Sequence, residues 1–140
     1  MMSVRRDRAT LRRRQRLLKT AEFRAVYAGR ARAGDGRLVA YARPNGLDVT
    51  RLGVSVGKRC GGAVRRNRIK RLLREAFRQA REAFPSGYDV VLVPVGKEYT
   101  FADVDASIRT LVPEAIGRAE RRSKDAADPV RVSREKARNG

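Results

Sequence analysis

Apolar positions recur along the chain with two periods, helical in some segments and strand-like in others. Phe23, Val26 and Tyr27 stand at i, i+3 and i+4, which predicts a short helix capped by Thr20, running to Ala28 and stopped by Gly29. Residues 37–43 read as a strand, followed by the turn set Pro44, Asn45 and Gly46. Residues 51–57 alternate, with Leu52, Val54 and Val56 facing one way and Gly53, Ser55 and Gly57 the other. Tyr88 to Val95 is almost wholly apolar, as in a strand buried on both faces. Thr100 to Val112 reads as a helix, with Val104, Ile108 and Leu111 on one face and Thr100 and Asp103 at capping-box spacing. Pro113 is expected to end or kink it.

The most informative pattern runs from Ala63 to about Ala83. Ile69, Leu72, Leu73, Ala76, Phe77 and Ala80 form one stripe at 100° per residue, which must pack on a sheet. Arg68, Lys70, Arg71, Arg74, Arg78 and Arg81 fill the remaining arc, so this helix carries a basic ridge. Glu75 and Glu82 can pair along it at i, i+4 spacing, for instance with Arg71 and Arg78. The order helix, strand, strand, helix, strand, helix predicts an α+β fold, a small sheet with helices mainly on one side.

Composition sharpens this picture. The 140 residues hold 34 Lys and Arg against 15 Asp and Glu, a formal charge of +19, with no histidine and one cysteine. Such a balance points to a polyanionic partner, and the excess of arginine over lysine favours nucleic acid, because a guanidinium forks onto phosphate and stacks on bases. Lacking histidine, the chain has no imidazole base, no His-containing triad and no His metal site. One cysteine makes neither an intrachain disulfide nor a CxxC site. No apolar run is long enough to span a membrane, no secretory signal is evident, and the cytoplasm is the expected compartment. The charge is not spread evenly: residues 1–19 carry +7, 58–78 carry +8 and 117–140 carry +4. We read 1–15 as a disordered basic arm, 16–117 as one folded nucleic-acid-binding domain and 118–140 as a polar, mostly disordered tail.

Two constellations could carry chemistry. From Lys58 to Arg78 there are nine cations and one acid. Such a density repels itself unless an anion neutralises it, so Lys58, Arg59, Arg65, Arg66, Asn67, Arg68, Lys70, Arg71, Arg74 and Arg78 are candidate contacts to nucleic-acid phosphate. The glycine turn at Gly61-Gly62 lets backbone and a helix start approach phosphate. The second constellation is Phe23 and Tyr27, one turn apart, with Tyr41 as a third member. Their spacing fits both core packing and a platform for unpaired bases. Asp89, Asp103 and Asp105 are scattered, Gly57 to Gly62 lacks the order of a nucleotide loop, and Cys60 has no histidine partner. No small-molecule substrate is expected.

With these residues in view, the chain resembles the protein subunit of bacterial ribonuclease P. The resemblance rests on Arg66-Asn67-Arg68-Ile69-Lys70-Arg71-Leu72-Leu73-Arg74, followed by Glu75-Ala76-Phe77-Arg78. It is joined in order by Leu18-Lys19, Phe23-Arg24-Ala25-Val26-Tyr27, Pro44-Asn45-Gly46, Arg51-Leu52-Gly53-Val54-Ser55-Val56, Gly61-Gly62-Ala63-Val64 and Tyr88-Asp89-Val90-Val91-Leu92-Val93. It implies a small α/β sandwich of about four strands in the order α-β-β-(β)-α-β-α, similar to ribosomal-protein-like domains, with a left-handed β-α-β crossover. It also implies a noncatalytic subunit of an endonuclease, whose RNA subunit uses Mg²⁺ to free the 5′ leader from precursor tRNA. The Arg-Asn-Arg helix would dock on that catalytic RNA, and Phe23, Tyr27, Tyr41 and Lys19 would line the path of the leader. Gly57-Lys58-Arg59-Cys60 departs from the family's usual Ser-Lys-Lys-aliphatic run, which leaves Cys60 without an assigned role. A basic ribosomal or other structural RNA-binding protein is the alternative.

Overall fold

The computed structural model describes residues 15–127. The basic arm before Gln15 and the tail after Ala127 lie outside the described residues. Four strands, β1 (Arg32–Gly34), β2 (Leu38–Pro44), β3 (Arg51–Val54) and β4 (Tyr88–Pro94), form one mixed sheet in the order β1-β2-β4-β3. β1 pairs antiparallel with β2, β2 antiparallel with β4, and β3 parallel with β4. Three helices, α1 (Thr20–Ala28), α2 (Ala63–Ala80) and α3 (Phe101–Ala127), complete the fold. α2 connects the parallel pair β3 and β4, which makes the expected β-α-β unit.

Alternation along the strands sorts the helices onto two faces. Leu38, Ala40, Ala42, Leu52, Val90 and Leu92 join one core with the stripe Ile69, Leu73, Ala76, Phe77 and Ala80 of α2 and with Val104, Ile108, Leu111, Val112, Ala115 and Ile116 of α3. On the opposite face Val91 packs with Leu17 and Val26, flanked by half-buried Phe23, Tyr27, Tyr41 and Val93. One side of the sheet is therefore covered by two long helices and the other by the nine residues of α1.

Local expectations change at Thr20 and Pro113, and the stop at Gly29 is as expected. Thr20 does not cap α1. Lys19 is the N-cap residue, and the Glu22 carboxylate accepts from the backbone N–H groups of Lys19 at 3.1 Å and Leu18 at 3.2 Å. Gly29 ends α1, yet the left-handed residue that turns the chain is Arg30, with φ 58°. Pro113 neither ends nor breaks α3, which runs on to Ala127. Pro113 is exposed, while Val112, Ala115, Ile116 and Ala119 are buried on both sides of it. The lost hydrogen bond and ring clash cost about 3 kcal/mol, and burial at about 1.5–3 kcal/mol per large apolar side chain outweighs that. The described part of the polar tail, 118–127, continues this helix. Thr100 does cap it, accepting from the Asp103 N–H at 3.2 Å.

Candidate nucleic-acid interface

α2 separates apolar and basic residues as its sequence requires. Ile69, Leu73, Ala76, Phe77 and Ala80 are buried, while Arg65, Asn67, Arg68 and Arg71 are exposed and Arg66, Lys70, Arg74 and Arg78 are half-buried. Lys58 and Arg59 are exposed on a single helical turn, Lys58–Cys60, that precedes α2. Gly61, with φ 117°, joins that turn to α2 in a conformation that side-chain-bearing residues rarely adopt. The N-cap Gly62 supplies no side chain, and no acid sits in the first turn. The positive end of the helix is thus open to an anion.

The ten basic-segment candidates are not equivalent. Arg59 Nη2 donates to the Val95 carbonyl at 2.7 Å and Arg65 Nη2 to the Lys97 carbonyl at 2.6 Å, which ties the start of α2 to the loop after β4. Arg78 is held by Glu75, at 3.1 Å from Nε and 2.5 Å from Nη2. Glu75 pairs at i+3 with Arg78 rather than with Arg71, and this bond holds its carboxyl below the ordinary value. Lys58, Arg68, Lys70 and Arg71 have no internal partner among the described residues. Arg66 buries an Nε without one.

Arg16 is a residue that sequence reasoning missed. Its backbone bridges Leu52 in parallel, and Leu17 N–H donates to the Leu52 carbonyl at 2.9 Å, so the segment before α1 covers the free edge of β3. Its Nε is also buried without a partner. Burial and then the neighbouring Arg16 charge push the pKa of Arg74 down. Two like charges held together without an acid between them favour an incoming anion.

The aromatic candidates do meet. Tyr27 and Tyr41 pack edge to face, with ring centroids 4.9 Å apart and planes at 83°. Phe23 lies over Gly53, where an added Cβ would stand 2.7 Å from the ring. All three rings are half-buried. Their inner edges complete the small core under α1 and the rest stays open, so packing and base stacking are compatible here. Lys19 is exposed at the entrance to α1.

A polar chain positions this face. Arg51 donates from Nη1 to Glu22 at 2.7 Å, and from Nε and Nη2 to the two Asp89 oxygens at 2.8 and 2.7 Å. Asn45 Nδ2 adds a donor to Asp89 Oδ1 at 2.9 Å. Asp89, 2% exposed, is thus a structural carboxylate that links α1, β3, β4 and the turn after β2. Cys60 is buried at one wall of a cavity of about 370 Å³ that Arg59, Arg65, Lys97 and Tyr99 also line. Among the described residues no group of three or more His, Cys, Asp or Glu is placed to hold a metal ion, and no helix is long and apolar enough to cross a membrane.

Comparison with known proteins agrees with this arrangement. The family profile described as Ribonuclease P matches residues 11–116. The chain is 44% identical over 99 residues to the ribonuclease P protein component of Caldanaerobacter subterraneus subsp. tengcongensis, covering 69% of this chain and 85% of that protein. It is 41% identical over 106 residues to that of Clostridium kluyveri, covering 71% and 93%. Among solved structures, the Staphylococcus aureus RNase P protein aligns with TM-score 0.62 at 30% identity, covering 70% of this chain and 92% of that one. The Thermotoga maritima RNase P protein aligns with TM-score 0.61 at 31% identity, covering 66% and 90%. With the Arg-Asn-Arg helix, the aromatic face and the mixed four-stranded sheet all inside the matched segment, the chain belongs to the ribonuclease P protein family.

Proposed function

We propose that this chain, as the protein component of an RNA–protein endoribonuclease, holds precursor tRNA by its 5′ leader while the RNA subunit performs the cleavage. The single observation that carries this reading is the half-open trio Phe23, Tyr27 and Tyr41, gathered on a sheet face separate from the one α2 covers. Aromatic faces beside a basic rim suit unpaired nucleotides, because every base has a π-face to stack. The α2 ridge, with Lys58, Arg66, Arg68, Lys70, Arg71 and Arg74, is then left for the RNA subunit.

The division of labour follows from the side chains. With no histidine and scattered carboxylates, the protein is poorly equipped for phosphodiester hydrolysis. Mg²⁺ held by the RNA subunit would supply the activated water and charge neutralisation. No residue of this chain is assigned to that metal. The site of action would be the cytoplasm. The ribosomal alternative has no specific observation in its favour.

The test is reconstitution with the ribonuclease P RNA of the same genome at low Mg²⁺. Precursor tRNA should be cut once, at the mature 5′ end, only when both components are present. Phe23→Ala should weaken binding of precursor tRNA more than of mature tRNA. Equal losses for both ligands would remove the leader assignment, and cleavage by RNA-free protein would overturn catalysis by RNA.

A further inference from the structure

The segment before α1 brings Arg16 against α2. Arg16 bridges Leu52 of β3 in parallel, and Leu17 N–H donates to the Leu52 carbonyl at 2.9 Å. Side chains along such an extended segment alternate between faces. Leu17 enters the small core under α1, so Arg16 turns to the side that α2 covers. There it meets Arg74, whose pKa is lowered by burial and then by the Arg16 charge. Both residues are half-buried. Arg16 Nε is buried without a hydrogen-bond partner, and neither guanidinium has an ion pair among the described residues.

The acids on the neighbouring elements are taken. Glu75, next to Arg74 in sequence, accepts from Arg78 and Gln79. Glu22 accepts from Arg51 and from the Leu18 and Lys19 N–H groups. Asp89 is held by Arg51 and Asn45. Two like charges with unused donors in a half-buried place cost the free fold both repulsion and desolvation. One anion between them removes both costs.

The surroundings say which anion. Arg66, Lys70 and Arg74 stand at i, i+4 and i+8 on α2, all half-buried, in a row beside the buried stripe. Arg66 also buries an Nε without a partner. This row lies on the α2 side of the sheet, whereas Phe23, Tyr27 and Tyr41 belong to the other side. A polyanion laid along α2 therefore reaches Arg74 and Arg16 without crossing the aromatic face.

We propose that Arg16 and Arg74 form a clamp for one phosphate of the RNA subunit. Guanidiniums fork onto phosphate oxygens, and a phosphate carries no base identity, so the clamp fixes the register of docking rather than reading sequence. Arg16 joins a contact that Arg74 already makes and adds no further phosphate. This rests on the docking of α2 on that RNA.

The test measures binding of the full chain to the ribonuclease P RNA of the same genome across a salt series. Arg16→Met keeps an unbranched stem and removes the charge. It and Arg74→Met should each weaken binding about tenfold. The double variant should lose less than the product of the two losses. Its log–log salt slope should be shallower by about one rather than two, because a single phosphate is given up. Arg16→Lys, charged but without the fork, should fall between wild type and Arg16→Met. The urea midpoint of free Arg16→Met should not drop, since a repulsion has been removed. A lower midpoint together with lost affinity would make Arg16 a structural residue and overturn the clamp. Unchanged affinity, or losses that multiply in full, would overturn it too. So would a loss seen only for precursor tRNA on the assembled holoenzyme, which would make the leader the occupant. Arg68→Ala separates the two readings. If it weakens binding and Arg16→Met does not, the clamp alone falls; if neither does, docking through α2 falls with it.

Discussion

Arg51 grips both carboxylate oxygens of Asp89, at 2.8 and 2.7 Å, and gives its remaining Nη1 to Glu22 at 2.7 Å. One guanidinium thus ties the start of α1 to the parallel strand pair beneath it. Arg51→Ala leaves Asp89 buried with Asn45 as its remaining side-chain donor and should cost about 3 kcal/mol, read as a lower urea midpoint. Arg51→Ala/Asp89→Ala should lose less than the sum of the single losses, because the two side chains act as a pair.

The same network gives the fold an acid limb. The Glu22 carboxyl titrates below its ordinary value of 4.5, chiefly because Lys19 N–H donates to it, with Leu18 N–H and Arg51 adding. A carboxyl depressed in the folded state contributes stability that is complete above its unfolded value and lost as pH falls through its folded value. Stability measured by urea denaturation should be flat from neutral pH to about 5 and then fall. Glu22→Gln should make that fall shallower, with Glu75, also depressed by its Arg78 bond, carrying part of the remainder.

Gly53 sets how deeply Phe23 sits. A methyl at that position would meet Phe23 ring atoms at 2.7 Å and Leu17 Cβ at 3.2 Å. Gly53→Ala should destabilise by about 1–3 kcal/mol and lift the ring. Gly53→Ala/Phe23→Ala should recover most of that loss, and a double variant no more stable than Gly53→Ala alone would mean the backbone, not the ring, resists the methyl.

On α2 the arginines should separate by their partners. Affinity for the RNA subunit should fall with salt at a log–log slope between about −4 and −5 if six phosphates are neutralised. Arg68→Ala should make that slope shallower by about one. Arg78→Ala should change it less, because the Arg78 guanidinium is already bound to Glu75.

The apolar stripe of the central helix was legible because it follows one local period, and all five residues buried on α2 belong to the stripe read from the sequence, whereas the pairing of Glu75 with Arg78 rather than Arg71 was not. The end of α3 was not. The proline rule is local, whereas the residues that carry the helix past Pro113 act through the sheet. β1 spans three residues, too few for alternation to register. Arg51 and Asp89 lie far apart in sequence and meet only because Arg51 pairs with Asp89 in the β3–β4 register. Phe23 and Tyr27 were readable as neighbours from helical spacing, but their meeting with Tyr41 and Gly53 depends on how α1 lies across the strands. Arg16 carried no signal beyond being one arginine in a basic stretch.

The unequal cover of the sheet has a consequence for change over generations. The aromatic residues proposed to touch the leader sit on one short helix and on an outward position of a strand whose other side chains hold the main core. If those assignments hold, substitutions at 23, 27 or 41 would retune which leaders are favoured without disturbing the layer proposed to dock on the RNA subunit, so substrate preference and assembly could drift independently in a chain this small.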